Sequence, residues 1–167
     1  MSWTRKNNTV ELSFYLESVL DKLAKKVDFD FVITSGIRDP KLQAAAMFGK
    51  IEAGDVDLSD YRNREFANSV ITAFPDLTAA TQAVIDAAQK GIASFHLIGR
   101  AFDIRTRNLN SLQIDQLSNA IKEIDPGSKP LLEFEPPHLH IRVSPPPKKS
   151  LWIASLIILG AAWIFRD

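Results

Sequence analysis

FHLIGRAFD, residues 95–103, decides how the chain is read. It holds one of only three histidines in 167 residues, followed by a glycine and then an aspartate. The run AFDI is apolar apart from Asp103 and reads as a strand, in which an unpaired carboxylate would be costly to bury. Gly99 lets the chain turn tightly between His96 and that strand, bringing His96 and Asp103 toward one point.

The other two histidines stand together in EFEPPHLHIRV, residues 133–143. Alternate residues of a strand share a face, so His138, His140 and Arg142 point one way while Leu139, Ile141 and Val143 point the other. One face is core, and the opposite face concentrates two imidazoles. Three nitrogen and oxygen ligands suit a zinc ion with an open fourth position, the feature that separates catalytic from structural zinc. Zinc acidifies water enough for attack at neutral pH, provided a carboxylate takes the proton. Glu135, beside the histidine pair, is the candidate acceptor.

Working outward, residues 9–26 read as an amphipathic helix with Leu12, Leu16, Val19, Leu20 and Leu23 on one face, Asn8 as N-cap and Glu11 as capping-box partner. FDFVITSG, ending at Gly36, is a strand, and Asp39-Pro40 starts a helix leading into KLQAAAMFGK. From 50 to about 75 the pattern weakens to a surface loop with short helical pieces. Residues 77–90 are helical with Gly91 as the stop, Asn110 caps a helix closed by Asp125-Pro126-Gly127, and LLEFE and HLHIRV are the last strands.

These motifs carry a family resemblance. SFHLIGRAFD resembles the S-x-H-x-x-G-x-A-x-D signature of the D-alanyl-D-alanine carboxypeptidase and dipeptidase group, relatives of lysostaphin-type peptidases and of the hedgehog fold. EPPH resembles the second signature of VanY-like carboxypeptidases and phage L-alanyl-D-glutamate endolysins, and SGIRDPKLQ resembles the upstream S-G-x-R segment. The three occur in the family's order over about residues 30–143.

The resemblance implies an α+β fold, a small antiparallel sheet flanked by helices, and a peptidase that cuts peptide stems or cross-links of bacterial peptidoglycan. It implies that His96, Asp103 and His138 bind one zinc ion, with Glu135 as general base and then acid to the leaving amine. Arg38 would hold a substrate carboxylate or the developing oxyanion, against the simpler alternative of a surface pair with Asp39. Ser94 and Gln43 would support the site and the substrate. Pro137 stands where the carboxypeptidase version has tryptophan, which leans toward the endolysin version. His140 makes an H-x-H pair, and in some relatives the second histidine of such a pair is the ligand. The Glu135 spacing favours His138, leaving His140 a transition-state role with ligation as the alternative. The rival from another class is a non-catalytic, membrane-tethered zinc-binding module of the same fold.

Composition bounds the remainder. The chain is 46% hydrophobic, which suits one compact domain. Twenty basic and twenty acidic residues cancel, and no basic-aromatic alternation offers a stacking platform, so nucleic acid is not expected as a partner. With no cysteine there is neither a disulfide nor a thiolate metal site. The N-terminus lacks a secretory signal.

The domain, 1–143, gives way to SPPPKKS, 144–150, a stiff proline-rich linker. LWIASLIILGAAWIF follows, uncharged, with Trp152 and Trp163 near its ends and Lys148, Lys149 and Arg166 flanking it. At about 1.5 Å per residue it reaches roughly 22 Å, short of a usual span. Its all-round apolarity, aromatic ends and cationic flanks still read as a membrane anchor helix over 151–166 that engages the lipid bilayer. Arg142, Lys148 and Lys149 precede it, which by the positive-inside rule leaves the domain cytoplasmic, whereas cell wall lies outside. A phage lysis or entry enzyme, held at the host inner membrane or a virion membrane, reconciles the two.

Overall fold

The computed structural model describes residues 1–54, 63–92, 94–134 and 136–146. In chain order the elements are β1 (Trp3–Arg5), α1 (Phe14–Ala24), β2 (Phe31–Ser35), α2 (Pro40–Glu52), α3 (Arg64–Thr72), α4 (Leu77–Gln89), β3 (Ala101–Arg105), α5 (Ser111–Ile124), β4 (Lys129–Phe134) and β5 (Pro137–Arg142). The class is α+β, as expected. The sheet is mixed, however, in the order β1-β2-β3-β5-β4. Four strands run antiparallel to their neighbours, and β1 pairs in parallel with β2. Helix α1 connects those two, and a crossover of this kind is what parallel neighbours require.

Two apolar clusters form the interior. In the first, Phe31 and Ile33 of β2, Phe102 and Ile104 of β3, and Leu139 and Ile141 of β5 meet Leu16, Leu20 and Leu23 of α1 and Leu117 and Ile121 of α5. The strand residues alternate along their strands, so this is one sheet face covered by two helices. Each such side chain removed from water contributes roughly 1.5–3 kcal/mol. The second cluster lies among α2, α3 and α4, with Met47, Phe48, Phe66, Val70 and Val84 at its centre. Ile92 and Leu97 pack against it, so the segment leading into β3 leans on the helices while His96 turns toward the sheet.

Helix starts follow their caps. Asp39 accepts from Leu42 N at the head of α2, with Pro40 in the first turn. Asn110 and Gln113 form a reciprocal capping box on α5. The start expected near residue 9 is corrected: α1 begins at Phe14 with Ser13 as N-cap. Glu11 is instead held in an isolated antiparallel bridge with Ile37, whose N–H donates to the Glu11 carbonyl at 2.7 Å. Between 50 and 75, α2 extends to Glu52 and α3 forms under an Asn63 cap. Linker residues 147–150 and the anchor segment 151–166 lie outside the described residues. Among the described residues no helix is long and apolar enough to cross a membrane.

Candidate metal centre

The sheet face opposite the main core carries the chemistry, and strand register arranges it in rows. Asp103 of β3 stands opposite His140 of β5, which stands opposite Leu131 of β4. The next row is Arg105, His138 and Glu133. Asp103 is only 3% exposed, its carboxylate covered by His96, His140 and Arg38, while Phe102 and Ile104 on either side point into the core.

His96 arrives from the turn before β3. Gly99 adopts φ +64°, where a side chain would be strained, and its N–H donates to His96 O at 3.2 Å. Arg100 N donates to Phe95 O at 2.7 Å, closing the turn. Ser94 Oγ accepts from Leu97 N and donates to Gln43 Oε1 at 3.0 Å, so these two expected support residues are bonded to each other and tie the turn to α2.

Hydrogen bonds assign the imidazole tautomers. His96 Nδ1 lies 2.6 Å from Gly36 O. A carbonyl only accepts, so Nδ1 carries the proton and Nε2 presents its lone pair. That nitrogen faces His140 Nδ1 at 3.3 Å and Asp103 Oδ1 at 3.4 Å. His140 Nδ1 and Asp103 Oδ1 are 2.8 Å apart. His138 Nδ1 likewise donates to Pro136 O at 2.6 Å, placing its Nε2 3.8 Å from Asp103 Oδ1 and 3.6 Å from Glu133 Oε2.

Charge follows from burial and partners. Burial lowers the His96 pKa, favouring the neutral imidazole that a metal needs. Burial opposes ionisation of Asp103, yet the imidazoles of His96 and His140 hold its carboxyl well below the usual carboxylate range. Arg38 adds a fixed positive charge: Nη2 donates to Asp103 Oδ2 at 2.8 Å and Nε to Ser35 Oγ at 2.9 Å. Arg38 therefore holds one carboxylate oxygen and turns the other, Oδ1, toward the imidazoles. Arg38 thus has a positioning contact within the site, beside the substrate contact anticipated for it.

Among the described residues, two groups can hold a metal ion. One is His96, Asp103 and His140, the other Glu133, His138 and His140, each with its ligand atoms within 4.8 Å of one another. The first fits zinc by donor chemistry, with two neutral nitrogens and a carboxylate oxygen. Bonds of about 2.0–2.1 Å at tetrahedral angles place ligand atoms about 3.3 Å apart, and two of the three separations here are 3.3 and 3.4 Å. With His140 Nδ1 donating its proton in a hydrogen bond to Asp103 Oδ1, the His96 lone pair faces the same carboxylate oxygen with no proton between them. A cation at the centre satisfies all three groups.

The geometry thus favours His140 over His138 beside His96 and Asp103, because register sets His140 opposite Asp103 and His138 one row farther out. Glu135 lies outside the described residues. Two further residues had no signal of their own in the sequence. Glu133 enters the site from β4, opposite His138. Lys50 of α2 forms an ion pair with it. Burial would raise the Glu133 pKa, but the hydrogen bond and charge of Lys50 lower it.

Fold and site together define an α+β protein with a metal-capable histidine and aspartate cluster on the sheet face opposite the main core. Comparison of the chain with family models, with curated proteins and with solved structures finds no match.

Proposed function

We propose that this chain is a zinc-dependent peptidase acting on peptide stems or cross-links of bacterial peptidoglycan. The observation that carries the hydrolytic part is the convergence of His96 Nε2, Asp103 Oδ1 and His140 Nδ1, with the His96 tautomer fixed by Gly36. The substrate class rests on the resemblance of SFHLIGRAFD, EPPH and SGIRDPKLQ to the peptidase signatures.

Bound by this triad, zinc supplies Lewis acidity, which acidifies water and polarises a carbonyl. The chain's own residues do the rest. Arg38 keeps Asp103 oriented through its hydrogen bond to Oδ2. His138 sits on the outer side of the cluster with Nδ1 held by Pro136 O and Nε2 turned toward the acids, the placement of a group that takes a proton and returns it to a leaving amine. Glu133, 3.6 Å from that nitrogen, stabilises the imidazolium so formed. Glu135, two residues from Glu133 in sequence, is the base that the resemblance implies and stands as the second proton acceptor.

Digestion of purified peptidoglycan by the zinc-loaded protein tests the reading. Mass spectrometry should show newly freed peptide termini of one kind, absent with a His96→Ala variant. Intact peptides after prolonged incubation would leave only the non-catalytic zinc module.

A further inference from the structure

The sheet face that carries the metal centre continues beyond it. One row from Asp103 and His140, register aligns Ala101 of β3, Arg142 of β5 and Lys129 of β4. Ala101 has only a methyl group to offer, and beside it opens a cleft of about 400 Å³ lined by Phe95, Arg100, Gly127, Lys129, Arg142 and Val143. Three of these six are cationic. The Phe95 ring lies 5.2 Å from the Arg100 guanidinium and 5.4 Å from that of Arg142, within cation–π range of both. Arg100 is fixed further by donating from Nε and Nη2 to Val143 O at 3.2 and 3.0 Å.

Arg142 and Lys129 have no ion-pair partner among the described residues. Asp125, the acid beside the Gly127 wall, is already bonded to Gly127 N, Ser144 N and Ser144 Oγ at 3.1, 2.6 and 2.6 Å. Like charges directly opposite on neighbouring strands destabilise a sheet. A fold that keeps such a pair, with a third cation behind it, breaks a local rule, and breaks of this kind belong at binding sites.

We propose that this cleft is the carboxylate subsite of the enzyme, with Arg142 and Lys129 holding a substrate carboxylate borne on the residue next to the scissile bond. The location of that bond rests on the peptidase reading; the anion preference of the cleft does not. Successive residues on one strand face are about 6.6 Å apart. A carboxylate one residue from a scissile carbonyl lies within about 4 Å of it, and the length of the Arg142 side chain spans the difference. Arg38 is engaged by Asp103 Oδ2 and Ser35 Oγ, whereas Arg142 and Lys129 have no such acid among the described residues. A C-terminal D-alanine and the α-carboxylate of a γ-linked D-glutamate both present the required group.

The test uses the full chain, zinc-loaded, and two peptide pairs: an acylated D-alanyl-D-alanine with its C-terminal amide, and an L-alanyl-γ-D-glutamyl peptide with its α-amide. The hydrolysed pair identifies the carboxylate. Within it the free acid should be preferred by about tenfold or more in kcat/KM, mostly through KM, as expected for charge-assisted hydrogen bonds. In the Arg142→Gln, Lys129→Gln double variant the preference should fall below about twofold, and the ratio is internal to each preparation, so a lower folded fraction cancels. An undiminished preference overturns the proposal. If neither pair is cleaved, the peptidase reading fails and the cleft is decided separately by titrating acetyl-D-alanine and following the Phe95 ring by NMR. Saturable shifts in the wild type that vanish in the double variant sustain the subsite; no saturable shift, or equal shifts in both proteins, overturns it.

Discussion

Asp103 is a carboxylate 3% exposed, in a strand whose flanking side chains are sealed in the core. Leaving such a charge unpaired would be costly, so its partners define the site. Removing Arg38 should loosen the metal rather than abolish folding, because the imidazoles remain. Arg38→Met is expected to weaken zinc binding by about 10–100-fold, the usual effect of losing a group that orients a ligand; competition with a chromophoric chelator measures it. The two histidines of β5 should separate cleanly. His140→Ala should lose most of its zinc, whereas His138→Ala should keep the metal and lose about 10²–10⁴-fold in turnover, as loss of a general acid–base group does. Greater zinc loss from His138→Ala would exchange the roles. Glu135→Gln belongs in the same series and should also retain zinc with turnover reduced. Sequence alone made His96 and Asp103 legible, since a lone histidine, a glycine and a strand-borne acid lie within nine residues. For the third ligand it pointed to His138 through the spacing from Glu135, although alternation puts His138 and His140 on one face. Only the pairing of β3 with β5 shows which stands opposite Asp103.

At the scale of elements, the site depends on how closely β2 approaches the segment before α1. A Cβ placed on Gly36 would lie 2.0 Å from Glu11 O and 2.7 Å from Leu12 Cδ2, so no side chain fits without moving backbone. The same residue's carbonyl accepts the His96 Nδ1 proton. Gly36→Ala should therefore cost about 1–3 kcal/mol, the range for overpacking, and weaken zinc binding in parallel; urea unfolding and metal titration of one preparation read both. An unchanged zinc affinity would show that His96 is oriented by other contacts. The ion pair between Lys50 of α2 and Glu133 of β4 ties the helical cluster to the sheet. Lys50→Met leaves a half-buried carboxylate without that cation and should destabilise by about 1–3 kcal/mol, read as a lower urea midpoint. Caps were the most legible feature, as Asp39-Pro40 and Asn110 both start helices where local chemistry requires. Asn8 and Glu11 imitate a capping box just as well, but Glu11 pairs with Ile37, a long-range contact that local sequence does not contain.

For the whole molecule, the question is where the folded domain stops. Val143 N donates to Arg100 O at 2.9 Å, and Ser144 donates to both Asp125 oxygens, so the sheet side of the chain is fastened through Ser144. Beyond it, Pro145 to Pro147 lead toward the uncharged run 151–165. A helix in hydrocarbon satisfies its own backbone and takes a large apolar surface out of water, which is the reason to read that run as an anchor. Ending the chain after Pro146 should then give a soluble domain that keeps its fold and its zinc, whereas removing Ser144 as well should lower the melting temperature by unbinding Asp125. The 167-residue chain should sediment with membranes and resist carbonate or high salt, which strip peripheral proteins. Protease protection of sealed vesicles adds the orientation. The positive charges before the run predict a domain on the cytoplasmic side, where it meets cell wall only after the membrane fails, as a phage lysis enzyme would. A domain found protected inside sealed inverted vesicles would place it on the wall side instead and remove the need for such a release step. Full-length protein that stays in the supernatant without detergent would overturn the anchor reading, and unfolding of the form ended at Pro146 would show that the run belongs to the folded core.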